Sequence, residues 1–283
     1  MIISVASGKG GTGKTLVATS LAYSLSHVSG SKVQLLDCDV EEPNSHIFLK
    51  PIFTQTEAVC IPIPVVNDAK CTYCGKCSEV CAFNAIVTLK NKVLVFSELC
   101  HGCGACSYLC PEGAIVEHGN EVGVFAIGGI NGINLVEGKL SIGQVMAPPI
   151  IRVVKQHADS QRIVIIDSPP GTSCPVIETV KGSDFCLLVT EPTSFGLNDL
   201  KLAVEVIRKL NIPCGVILNR GGIGDSGVEN YCKASDIPIL LTIPLDREIA
   251  HWYSRGVTLT EAMPVWHESF LGLFDDITRM VDR

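Results

Sequence analysis

The chain has 283 residues, 47% of them hydrophobic and 18% charged, with a formal net charge of −7. That composition supports a large buried core and excludes extended disorder. The acidic balance argues against non-specific binding to DNA or anionic lipid. No run approaches the roughly 20 apolar residues that would cross a bilayer, and the N-terminus leads directly into a strand rather than a leader. The expected setting is cytoplasmic, with no nucleic-acid partner and no stable membrane insertion.

In chain order, residues 2–6 form a short apolar strand leading into a glycine-rich stretch. Leu16, Val17, Leu21, Ala22 and Leu25 then recur at helical spacing over 14–28. A second buried strand at 33–36 ends at Asp37, and another at 163–166 ends at Asp167. Further apolar strands are expected at 185–189 and 215–218, with helices near 197–210 and 227–235. Continuous apolar strands alternating with helices imply a mostly parallel sheet covered on both faces, an α/β fold. At the C-terminus Trp266, Phe270, Leu271, Phe274, Ile277 and Val281 keep helical spacing. Glu268, Asp275, Asp276 and Asp282 are among the polar residues there, so a docked helix is expected rather than a basic membrane-binding one.

Residues 60–118 break the alternation, being cysteine-rich, turn-rich and poor in strand signal. Eight of the fourteen cysteines fall between Cys71 and Cys110, and they repeat with a period of 29 residues. Cys71, Cys74, Cys77 and Cys81 recur as Cys100, Cys103, Cys106 and Cys110, Gly75 as Gly104, and 85–87 as 114–116. The spacing is C-x2-C-x2-C-x3-C twice, with Pro111 after the second run and Ala82 after the first. Short x2 spacings wrap a loop around three corners of a 4Fe–4S cube, and the fourth thiolate comes from the other run. The expected ligand sets are Cys71, Cys74, Cys77 and Cys110 for one cluster, and Cys81, Cys100, Cys103 and Cys106 for the other. A pair of zinc sites would use C-x2-C pairs but does not account for the duplicated third and fourth positions. This segment resembles a bacterial-type two-cluster ferredoxin. The resemblance implies a small α+β domain at 60–118, inserted into the α/β domain formed by 1–59 and 119–283, and a redox role.

Gly8, Lys9, Gly10, Gly11, Thr12, Gly13, Lys14 and Thr15 follow the first strand and open a helix. They satisfy G-x-x-x-x-G-K-[ST], in which backbone N–H groups and the helix N-terminus cradle phosphates. Lys14 is expected on the β- and γ-phosphates and Thr15 on magnesium, with Leu16 completing the nucleotide contact. Three strands ending in Asp37, Asp167 and Asn219 would bring their ends to the same sheet edge, where α/β proteins bind ligands.

The K-G-G-T-G-K-T form of the loop resembles the deviant Walker A of the MinD/ParA/Mrp and nitrogenase iron protein class. That class implies a MinD-like P-loop NTPase whose extra lysine, here Lys9, crosses a dimer interface to the partner's nucleotide. Asp37-Cys38-Asp39 is similar to its D-x-D segment, which gives Asp39 to the attacking water or the magnesium shell. Asp167-Ser168-Pro169-Pro170-Gly171 is similar to its switch segment, with Asp167 holding magnesium and the Gly171 N–H reaching the γ-phosphate. Asn219 and Arg220 match its adenine contacts, and Pro244 and Asp246 a later adenine-flanking loop. The resemblance therefore implies ATP/ADP, Mg2+ and two 4Fe–4S clusters as cofactors, a slow ATPase with Lys9, Lys14 and Asp39 as catalytic residues, and electron transfer gated by dimerisation. Alternatives are an Mrp-like cluster assembly or delivery factor, or a MinD/ParA-like spatial switch with redox sensing. The implied partners are a second copy or a paralogous ATPase, together with a redox partner or a small molybdenum–iron-cofactor-like protein. Cys174 follows Asp167 at a spacing similar to that of the nitrogenase iron protein's cluster ligand, but no second cysteine accompanies it, and a buried thiol is expected.

Overall fold

The computed structural model describes residues 1–222 and 224–282. The chain opens with β1 (Ile2–Ala6), α1 (Lys14–Ser26), β2 (Val33–Asp37) and α2 (Ser45–Leu49). A long strand follows, β3 (Ile52–Val66), and then a compact unit of α3 (Lys76–Val80), β4 (Ile86–Leu89), β5 (Lys92–Val95) and α4 (Ala105–Tyr108). The chain returns along β6 (Ile115–Ile130) and turns into β7 (Ile133–Leu140). The remainder alternates: α5 (Pro148–Gln156), β8 (Ile163–Asp167), α6 (Cys174–Val180), β9 (Phe185–Thr190), α7 (Ser194–Lys209), β10 (Cys214–Gly221), α8 (Gly227–Ala234) and β11 (Ile239–Pro244). Three helices close it, α9 (Arg247–Ser254), α10 (Leu259–Ala262) and α11 (His267–Val281).

Nine strands form one sheet in the order β11-β10-β9-β1-β8-β2-β7-β6-β3. The first seven in that order are parallel, and β6 and β3 add on antiparallel. The central strands are mostly apolar where buried on both faces, as in Leu35, Leu36, Ile165, Ile166, Leu187 and Leu188, with Ser4 and Gln34 among the buried polar exceptions. One face packs on α1 and α11, where Leu21, Phe270, Leu273 and Ile277 meet. The C-terminal helix is thus docked into the core. On the other face Val204 and Ile207 of α7 pack near β9 and β10, and Ile150, Ile151 and Val154 of α5 pack near β2. Among the described residues no helix is long and apolar enough to cross a membrane.

The segment expected to be poor in strands holds β4, β5 and the far ends of the two longest strands, β3 and β6. β3 and β6 pair from Ile52↔Gly129 to Val66↔Ile115, an antiparallel ribbon that starts at the sheet and ends at the cysteine unit. The expected domain limits at 59/60 and 118/119 fall inside these two strands. The ribbon lacks the apolar run of a central strand because half of it faces solvent. Pro62 and Pro64 are tolerated because β3 is the sheet's edge. Residues 67–114, between the two strands, make up the cysteine unit, which packs on the ribbon's far end.

The ribbon's root is clamped by Ile150. A Cβ at Gly123 on β6 would come within 2.5 Å of Ile150 Cδ1, and one at Gly138 on β7 within 2.8 Å of its Cγ2. The isoleucine side chain fills the space these two glycines leave, and it is fully buried. Replacing Ile150 by Ala should cost about 2–5 kcal/mol, read as a lower midpoint in anaerobic denaturant unfolding. An unchanged midpoint would mean that the root is not packed as described.

Candidate functional site

A cleft of about 450 Å³ opens at the carboxyl ends of the parallel strands. Gly10, Gly11, Gly13, Lys14, Thr15 and Leu16 line it from the loop between β1 and α1. Asp39, Asn219, Arg220, Pro244 and Asp246 line it from other strand ends, so residues far apart in sequence share one site. Gly13 sits at φ 99° directly before α1, and a Cβ there would meet Asn219 Nδ2 at 2.3 Å. Only glycine fits, and the α1 N-terminus is left open toward the cleft. Opposite the phosphate end, Leu245, Ile249, Ala250 and Tyr253 complete an apolar wall. One polar end and one apolar end suit a nucleotide.

Asp167 is fully buried beneath the loop. Thr15 Oγ1 donates to Asp167 Oδ2 at 2.6 Å, while Asp167 Oδ1 has no hydrogen-bond partner among the described residues. Burial first, and then the neighbouring Asp37, hold the Asp167 carboxyl well above its usual range, against the pull of Thr15 and Lys14. Asp39 is pushed up to about 7 by burial, which outweighs Lys14 and is reinforced by Asp37, Glu41 and Glu42. A threonine hydroxyl, an orphaned buried carboxylate oxygen and a second carboxyl at the cleft form an all-oxygen donor set that fits Mg2+. Thr15, Asp39 and Asp167 would hold the ion, which would neutralise phosphate charge.

Asp37 plays a different part from Asp39. It is fully buried and accepts N–H bonds from Asp39 (3.1 Å), Asn44 (3.1 Å) and Ser45 (2.9 Å), fixing the loop after β2 and the start of α2. Cys38 between them is buried, and its thiol is held well above the ordinary range by burial and then by Asp37.

Several expected contacts are engaged otherwise. The Gly171 N–H donates to the Ser7 carbonyl at 3.0 Å, so it does not point free toward a phosphate here. Asn219 donates from Nδ2 to the Thr12 carbonyl at 2.7 Å and accepts the Arg220 N–H, so its amide braces the loop. Arg220 pairs with Glu191 at 2.6 Å instead of lying flat over the cleft. Lys9 also pairs with Glu191, at 3.5 Å. Asp246 caps α9, accepting the Glu248 N–H at 2.7 Å. Gly8 lies against α7, where a Cβ would strike the Asp199 backbone, and Thr12 is buried. Glu191 and Tyr253 were not expected from sequence. Glu191 directly follows β9, and Ile249 and Tyr253 form an i, i+4 pair on α9 that could have been read as a lining face. Cys174, expected as a buried thiol, is exposed at the first turn of α6.

The cysteine unit holds two further cavities. One is lined by Cys71, Cys74, Cys77 and Cys110, the other by Cys81, Cys100, Cys103 and Cys106. These are the two quartets expected from the spacing, each with its fourth member from the other run. The 29-residue period is carried into the backbone. Tyr73 and Gly102, Gly75 and Gly104, and Asn84 and Gly113 all have positive φ. The N–H groups of Tyr73 and Ala85 donate to Cys71 and Cys81 sulfur at 3.4 and 3.3 Å. Those of Gly102 and Ala114 donate to Cys100 and Cys110 at 3.5 and 3.3 Å. Burial pushes the Cys81 thiol up, but the N–H groups of Phe83, Ala85, Ile86 and Asn84 outweigh it and leave it below the ordinary range. Among the described residues no three Cys, His, Asp or Glu side chains converge tightly enough to hold a single metal ion. Each quartet instead surrounds a space. Four thiols around a cavity suit a polynuclear cluster with one thiolate per iron.

A parallel sheet with a phosphate loop between its first strand and helix, and a nucleotide-sized cleft at the strand ends, defines a P-loop nucleotide-binding protein. Residues 3–259 match the family described as the CobQ/CobB/MinD/ParA nucleotide binding domain, and the chain belongs to it. It is similar to two proteins of Methanocaldococcus jannaschii, the uncharacterized proteins MJ0578 (34% identical, over 99% of this chain and 98% of that one) and MJ0579 (32%, over 90% of each). It is also 26% identical to a cytosolic Fe-S cluster assembly factor NUBP2 homolog of Nematostella vectensis, over 93% of this chain and 86% of that one. Among solved structures it resembles the septum site-determining protein MinD complexed with Mg-ADP from Pyrococcus horikoshii. The TM-score is 0.60 at 20% identity, over 99% of this chain and 96% of that one.

The raised carboxyls set the sign of a pH dependence. A carboxyl whose folded pKa lies above its unfolded value stabilises the fold when protonated, and that stability is lost as pH rises through the folded value. For Asp39 the window runs from about 4 to about 7, and Asp37 and Asp167 shift in the same direction. Nucleotide-free protein should therefore unfold at a lower temperature at pH 8 than at pH 6, and Asp39→Asn should reduce the difference. A melting temperature that does not fall between pH 6 and pH 8 would contradict this reading of the cleft.

Proposed function

We propose that the protein is an ATP-hydrolysing iron–sulfur protein in which nucleotide-driven dimerisation gates electron transfer through two 4Fe–4S clusters held by a ferredoxin-type insertion. The observation that carries this reading is the separation of the eight cysteines into two cavities, each lined by one complete expected quartet. The nucleotide half rests on the cleft that Lys14, Thr15 and Asp39 line together.

Lys14 would bind the β- and γ-phosphates from the base of the cleft, and Asp39 would orient the attacking water. Lys9 is ion-paired with Glu191 and one-third exposed, so it is available to be exchanged onto a nucleotide across a two-fold axis. The second subunit would be another copy or a paralogous chain. Two relatives of similar identity within one organism support the paralogous option.

Anaerobically prepared protein should hold about eight irons and eight acid-labile sulfides per chain. ATP should convert monomer to dimer in sedimentation, and Lys9→Ala should block that step while retaining nucleotide. Lys14→Ala should lose nucleotide binding altogether. Electron transfer from the reduced protein to a soluble viologen acceptor should differ at least several-fold between ATP and ADP. Equal rates with both nucleotides would reject the gating.

A second reading, cluster delivery, is favoured by the relative named as a cluster assembly factor. It requires the chain's own clusters to leave. Incubation of the loaded protein with an apo-ferredoxin should leave its iron in place, and prompt transfer would establish delivery instead.

A further inference from the structure

The two halves of the cysteine unit share a backbone but not their charges. The 29-residue shift carries Cys77, Ser78 and Thr88 onto Cys106, Ser107 and Glu117. In the first half Ser78 Oγ donates to Thr88 Oγ1 at 2.9 Å, and the Thr88 N–H donates back to Ser78 Oγ at 2.6 Å. Thr88 Oγ1 lies 3.4 Å from Cys77 Sγ, and toward a thiolate the hydroxyl must be the donor. In the second half Ser107 Oγ turns to Glu117 Oε1 at 2.7 Å and to the Gly104 carbonyl at 2.9 Å. Glu117 lines the second cavity beside Cys103 and Cys106. Where one quartet meets a hydroxyl donor, the other meets a carboxylate.

The remaining charges widen the difference. Lys76 and Glu112 line the first cavity and cancel. Their counterparts in the second are Ala105 and Phe83, both neutral. Counting Asp, Glu, Lys and Arg alone, the lining of the second cavity carries one negative charge and that of the first none. The cavities also differ in place. The second is lined by Pro62, Pro64 and Glu117 along the ribbon, the first by Val66 and Ile115 at its tip.

Cluster potentials follow local charge and the hydrogen bonds made to sulfur. Reduction adds a negative charge, which a hydroxyl donor stabilises and a carboxylate opposes. We propose that Thr88 and Glu117 split the two cluster potentials, with the tip cluster higher and the ribbon-side cluster lower, so that the unit is a wire with a fixed direction. An electron leaving the ribbon-side cluster oxidises it by one and reduces the tip cluster by one, with no bond broken and no proton required. A partner that takes electrons would then dock at the tip. The proposal rests on the two-cluster reading above.

The test is an anaerobic redox titration of the whole protein followed by electron paramagnetic resonance, after iron and sulfide have been counted. It is run at pH 8, above the ordinary histidine range, in low and high salt. Two couples are expected. Thr88→Val should lower only the higher one and Glu117→Gln should raise only the lower one, each changing the electron's distribution about tenfold, or about 59 mV for one electron. Exchange of the pair, Thr88→Glu with Glu117→Thr, should narrow the gap or reverse it. Because Glu117 is exposed, the gap should shrink as salt rises. Glu117→Gln keeps an acceptor for Ser107, so its cluster content should match the parent chain. Full iron content with coincident couples, or with a gap that neither substitution moves, overturns the assignment to Thr88 and Glu117 and leaves the two-cluster reading intact. Substoichiometric iron with no cluster signal overturns both.

Discussion

Asp37 and Asp167 end adjacent parallel strands in the same register, and both carboxyls are fully buried. Strands lie about 4.8 Å apart, so two charges there would repel strongly in a medium poorer than water. The surrounding structure is arranged around that constraint. Asp37 is supplied with three backbone N–H donors by the loop that leads into α2. Asp167 receives one hydroxyl, from Thr15, and among the described residues keeps one oxygen unpartnered. The deficit is therefore concentrated at the spot where a nucleotide-bound divalent cation would bring positive charge. A site left incomplete in this way would be completed by the cation.

The same row of register positions extends away from the cleft. Glu137 on β7 is the register neighbour of Asp37, and His46 binds its Oε2 at 2.6 Å. Burial and then Asp37 raise the Glu137 carboxyl, with His46 opposing. Asp167, Asp37 and Glu137 thus form contiguous carboxyls across three strands. The third strand pairs with β6, whose 16 residues run out to the cysteine unit. The cysteine unit is joined to the sheet that carries the phosphate loop by a paired ribbon, with β8, β2 and β7 between that ribbon and β1. A rigid-body change at the sheet would therefore be carried to the unit.

The chemistry was more legible than the architecture that joins it. The phosphate loop and the cysteine runs announce themselves because their functions demand fixed residue types at fixed spacings. Asp37 and Asp167 were readable because they terminate apolar strands, Asn219 because it follows an apolar run, and Asp39 only through the D-x-D pattern. The ribbon was not, because an edge pair with one face in solvent shows neither a long apolar run nor a clean alternation. Tyr253 and Glu191 were missed for a related reason: each enters the site through folding, from a helix or a strand end with no motif of its own. The exposure of Cys174 shows the limit of reading a lone cysteine, since its burial depends on how the first turn of α6 sits and not on its neighbours in sequence.

The exchange of the fourth ligand bears on whether the proposed clusters are cargo or resident. Cys110 closes the cavity of the first run and Cys81 that of the second. Removing one cluster would free a thiolate anchored in the half that holds the other, and both halves share backbone N–H donors aimed at sulfur. Release of either would loosen both, so handing over a single cluster would disrupt the whole unit. A carrier needs ligands that can open independently of its fold. On the proposed reading, an interlocked pair suits electron transfer, which would leave the ligands in place.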